Sequence, residues 1–127
     1  MITVTLKQIM ESQEVMRSLS GKPLRGRAAF KVARLLKKLE VELTTFNETR
    51  VKLIENYAKK DDNGEFVLNE QNEYQFDAGN AQEFVNEINK LLSEEIQIEV
   101  NPILLEEIEE IDFTPAEMAA LEPFIEE

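Results

Sequence analysis

The chain of 127 residues contains no cysteine, no histidine and no tryptophan. Without cysteine there is no disulfide framework and no thiol nucleophile. Without histidine as well, zinc-finger ligation and a Ser-His-Asp triad are excluded. Glycine and proline number four each, too few for a collagen-like or low-complexity chain. No stretch approaches the roughly 18 uninterrupted apolar residues of a membrane-spanning helix. The opening Met1-Ile-Thr-Val-Thr-Leu-Lys7 lacks the charged-then-apolar pattern of a signal peptide. These absences predict a protein of the cytoplasm, with no membrane association. Nothing frames a catalytic pair among the 26 acidic residues. The expectation is no enzyme activity, no metal and no cofactor.

Acid is plentiful: 26 acidic residues against 14 basic give a net charge of −12. The charges are segregated along the chain. Residues 1–38 hold nine basic and two acidic residues, residues 39–90 five and twelve, and residues 91–127 none and twelve. Such asymmetry makes surfaces of opposite sign attract, within one chain or between copies.

Apolar periodicity supplies the elements. Leu6, Ile9, Met10, Val15, Met16 and Leu19 recur at helical steps, and Ser20-Gly-Lys-Pro23 breaks the helix. From about Arg25 to Tyr57 comes the dominant element. Ala28, Val32, Leu35, Leu39, Leu43, Phe46, Leu53 and Tyr57 step mostly by three or four, and Ala29, Phe30, Leu36, Val51 and Ile54 widen the stripe. A helix of some 30 residues would be roughly 45–50 Å long, and it needs a partner along much of its length. The sequence leaves open a kink at Thr44, Thr45 and Asn47.

Beyond the Asn63-Gly64 turn signal, Glu65–Leu68 and Tyr74–Phe76 read as a hairpin turning at Asn69–Asn72. A helix from about Asn80 to Ser93 and a strand at Glu95–Val100 follow, the strand placed in the same sheet as the hairpin. Ile103–Ile111 is mixed. Thr114-Pro-Ala-Glu117 is a capping box with proline at the first helical position. The fold class expected is α+β, mostly helical: a long central helix, a shorter antiparallel helix, a small antiparallel hairpin or sheet, and an acidic C-terminal arm. The domain division expected is 1–100, helical with the small hairpin, and 101–127, the arm ending in a short helix.

Three features are candidates for function. Asp61-Asp-Asn-Gly-Glu65 invites a calcium-loop reading, which fails because Phe66 and Asn72 stand where the glycine and the final glutamate belong. Arg27, Lys31, Arg34 and Lys38 step by four, three and four, so they form one basic stripe on the long helix. Such a stripe suits phosphate or an acidic protein, and the acidity of the whole chain argues against nucleic acid. Phe124 and Ile125, after Pro123 and among glutamates, are either a docking peptide for a groove on this chain or a neighbour, or the end of the last helix's core.

The run Phe46-Asn-Glu-Thr-Arg-Val-Lys-Leu-Ile-Glu-Asn-Tyr57, then Asp62-Asn-Gly-Glu65, and the closing Thr114-Pro-Ala-Glu-Met-Ala-Ala-Leu-Glu-Pro-Phe-Ile125 resemble a family of short uncharacterised proteins encoded by phages and prophages of Gram-positive bacteria. The resemblance implies no catalytic or binding residues. It implies a viral protein in a host bacterial cytoplasm or in the virion. Charge segregation and the long helix, set in that context, make the function expected a non-enzymatic interaction protein that self-associates, in virion assembly, with a homo-oligomer, a phage structural protein or a host protein as partner. The alternative is an acidic inhibitor that occupies a basic, nucleic-acid-binding surface of a host protein.

Overall fold

A computed structural model describes all residues, 1–127. The protein is mostly helical α+β. In chain order it has β1 (Ile2–Thr5), α1 (Leu6–Ser20), α2 (Gly26–Tyr57), α3 (Ala78–Leu92), β2 (Glu95–Ile98), β3 (Ile103–Leu104), α4 (Pro115–Leu121) and β4 (Ile125–Glu126). Short 3-10 turns cover Leu105–Ile108 and Glu122–Phe124. No helix is long and apolar enough to cross a membrane.

Two compact units divide the chain. The first is Met1–Leu43 with Ser93–Glu127, and the second is Thr44–Leu92. This differs from a split at residue 100. Residues 101–127 are not a separate arm, because their apolar side chains complete the core that β1, α1 and the first part of α2 begin.

In the first unit β1 pairs antiparallel with β2, in the register Ile2↔Ile98 and Val4↔Ile96. Alternation puts Ile2, Val4 and Ile98 inside. The Glu95–Val100 strand was expected beside the hairpin; instead it takes the chain's first strand as its neighbour. Thr5 then caps α1: its Oγ1 accepts from the Gln8 N–H, and Gln8 Oε1 accepts from the Thr5 N–H. Leu6, Ile9, Ser12, Met16 and Leu19 form the buried face of α1. Ser12 is tolerated there because its hydroxyl donates to the Ile9 carbonyl at 2.9 Å.

The long helix α2 is continuous, with no break at Thr44–Asn47. Ala28, Val32, Leu35, Leu39, Leu43, Phe46 and Ile54 are buried along it. Ala29, Phe30 and Val51 do not widen that stripe, and all three are exposed. A step of two residues turns a helix by about 200°, so Phe30 lies opposite Ala28 and Val32.

The C-terminal segment closes the first unit. Helix α4 begins as expected, with Thr114 Oγ1 accepting from the Glu117 N–H, and it packs on α1. Leu121 and Phe124 are fully buried. β4 runs parallel to β3, pairing Ile125 with Ile103.

The second unit holds the rest of α2, α3 and a compact linker of three short segments. Between them the expected hairpin keeps its turn at Asn69–Asn72 and one antiparallel bridge, Leu68 with Tyr74, within a closed ring of backbone hydrogen bonds. The Lys59 N–H donates to Gln75 O (2.7 Å), the Val67 N–H to Lys59 O (2.9 Å), and the Gln75 N–H to Val67 O (3.0 Å). The three residues are spaced by eight, and the intervening turns repeat. Asp61 Oδ1 accepts from the N–H groups of Asn63 and Glu65, and Asn69 Oδ1 from those of Gln71 and Glu73. Gly64 (φ 80°) and Asn72 (φ 62°) occupy the same left-handed position in the two turns. Each turn is followed by a glutamate and an aromatic residue, and the aromatics, Phe66 and Tyr74, meet edge to face at 5.3 Å. Phe76 stacks on Phe84 of α3 at 4.9 Å.

Candidate functional site

Helix α2 carries all four residues of the basic stripe, but the structure treats them differently. Lys31 is half-buried, and its Nζ donates to Glu107 Oε1 at 2.7 Å. The same carboxylate oxygen accepts from the Leu104 N–H at 3.0 Å, so Glu107 ties the 3-10 turn at Leu105–Ile108 to the helix. The hydrogen bond from Lys31 holds the Glu107 carboxyl below its ordinary pKa of 4.5. Partial desolvation opposes this, and the Leu104 amide and the nearby charges of Lys31 and Arg27 add to it.

Arg27, Arg34 and Lys38 are exposed. None of them makes an ion pair within the chain; the two that form are Lys31–Glu107 and, in the second unit, Lys90–Glu87. The Arg34 guanidinium lies 5.6 Å from the ring centre of Phe30, itself 64% exposed. An aromatic held on the outer side of a basic helix was not foreseen. The signal for it was there, since Phe30 sits two residues from two core positions.

Phe124 and Ile125 are not a free docking peptide. Phe124 finishes the core, and Ile125 forms the β3–β4 pair. The charged positions around them, Glu122, Glu126 and Glu127, are exposed.

Two concavities flank the stripe, both built within the first unit. One, of about 600 Å³, is bounded by Arg25 and Arg27 on the α2 side and by Glu106, Glu109 and Glu110 on the other. Leu24, Leu104 and Ile111 supply apolar lining. The second, of about 330 Å³, shares Arg27 and is lined by Phe30, Arg34, Val100 and Asn101. No three acidic side chains converge as metal ligands would, and Asp61 spends its carboxylate on its own turn. The arrangement offers unpaired charge of both signs, an exposed aromatic and some apolar lining.

No protein-family model matches this chain, and no curated protein or solved structure matches it.

Proposed function

We propose that this protein is a non-enzymatic interaction protein that self-associates. One observation carries the reading: within a single folded unit, charges of both signs remain exposed and unpaired. Of the nine cations in residues 1–43 only Lys31 has an ion-pair partner, while Glu106, Glu109, Glu110, Glu122, Glu126 and Glu127 stand in solvent. Exposed ion pairs are individually weak, so complementary patches act by number and by steering encounter. The resemblance to short phage and prophage proteins suits particle assembly and interference with a host factor alike, and particle assembly is the setting in which self-association is put to use.

The test is capture of free protein by immobilised copies of itself, at rising salt. At about 0.01 M salt the screening length is about 30 Å, and at 1 M it is about 3 Å. Capture at the first and loss at the second is the expected result. No capture at low salt contradicts the reading.

The exposed glutamates also support the alternative reading, an acidic inhibitor of a host protein's basic surface. Under that reading, replacing Glu109, Glu110, Glu126 and Glu127 by glutamine abolishes capture of a basic host partner. Under self-association through the basic stripe, the same protein also loses capture when Arg27 and Arg34 are neutralised.

A further inference from the structure

We infer that the concavity between Arg25/Arg27 and Glu106/Glu109/Glu110 is the centre of a two-fold interface with a second copy of this chain. The inference rests on the self-association proposed above and specifies where and with what symmetry it occurs.

The two sides of the concavity carry opposite charge, yet none of these five residues forms an ion pair across it. All five are exposed. Two arginines and three carboxylates are therefore free to meet opposite charges on a partner, at one face of the molecule. A polyanion such as nucleic acid would satisfy the arginines and be repelled by the glutamates. A uniformly basic protein would meet the opposite problem. The fitting partner carries both signs side by side at matched separation, and a second copy of this face does so.

Symmetry follows from that adjacency. When positive and negative patches lie side by side on one face, rotating a copy by 180° about an axis in the plane of that face, running between the patches, sets each patch over its opposite. Arg25 and Arg27 of one copy then meet Glu109 and Glu110 of the other, and the same contact forms a second time. A head-to-tail arrangement forms that contact only once per junction, in a ring or a filament. Apolar lining at Leu24, Leu104 and Ile111, and Phe30 at the adjoining cavity, supply area that charge alone does not.

The test is sedimentation equilibrium at low salt on the full-length protein and three variants: R25E/R27E, E109R/E110R, and the four changes in one chain. Circular dichroism checks that each is folded, and R25Q/R27Q serves as a milder form of the first. Each charge-reversed pair weakens the dimer by about 100-fold, because like charges then face each other at both halves of the interface. The four-fold variant returns to within about tenfold of the parent, since reversed pairs are again complementary. An equimolar mixture of the two pair variants forms a 1:1 dimer.

A parent dimer whose affinity neither pair changes overturns this interface while leaving self-association standing. A four-fold variant as weak as the pairs overturns it as well. A parent that stays monomeric overturns both this inference and the reading beneath it.

Discussion

Lys31 and Glu107 are 76 positions apart in the sequence, and Nζ lies 2.7 Å from Oε1. This ion pair joins the basic front of the chain to its acidic end inside one folded unit. It is also the one ion pair that the basic stripe forms within the chain; Arg27, Arg34 and Lys38 form none.

Replacing Glu107 by alanine removes the Lys31 ion pair and the Leu104 amide's acceptor together. The expected cost is about 2 kcal/mol, the range for a partly buried charged hydrogen bond. Urea unfolding at neutral pH measures it.

The same carboxyl makes stability depend on acid. Its pKa is lower folded than unfolded, so its contribution is complete above the ordinary value of 4.5 and is lost as pH falls through the lowered folded-state value. The difference in unfolding free energy between the parent and Glu107→Ala therefore shrinks as pH drops below 4.5. Unfolding curves at stepped pH follow it; a difference that grows in acid contradicts the assignment.

Phe124→Ala should cost about 3–5 kcal/mol, since a fully buried ring leaves a cavity in the first unit. Phe30→Ala should change stability by less than about 0.5 kcal/mol, because that ring is mostly in solvent. Thermal melts of the two variants compare a terminal phenylalanine that holds the fold with a central one that does not.

In the second unit, Gly64→Ala forces a side chain into the left-handed region and should cost about 1 kcal/mol. Asn72→Gly relieves the equivalent position and should be neutral or slightly stabilising. Amide hydrogen exchange at Lys59, Val67 and Gln75 reports both, because these three amides close the backbone ring.

Much of the fold was legible along single elements. The three- and four-residue steps from Ala28 to Phe46 gave the long helix, and Thr114-Pro-Ala-Glu117 marked the start of α4. What failed was of two kinds. Phe30 was assigned to the core by its chemistry, against its angular position on the helix. The pairings of β1 with β2, of β3 with β4, and of Lys59, Val67 and Gln75 join residues far apart or in three-way registers, which local periodicity does not encode. The eight-residue repeat behind the ring is visible in Asp61–Phe66 and Asn69–Tyr74. Of the candidate site, the basic stripe and the acidic end were both legible. Which cation would be used up internally was not, because Glu107 reaches Lys31 only after the C-terminal segment folds back.

The central claim is that exposed charges of opposite sign hold copies of this protein together. Static light scattering at tens of micromolar chain concentration and low salt tests it most directly. The account predicts a mass of twice the 14.7 kDa chain, falling to a single chain as salt is raised. A mass of one chain at low salt contradicts it.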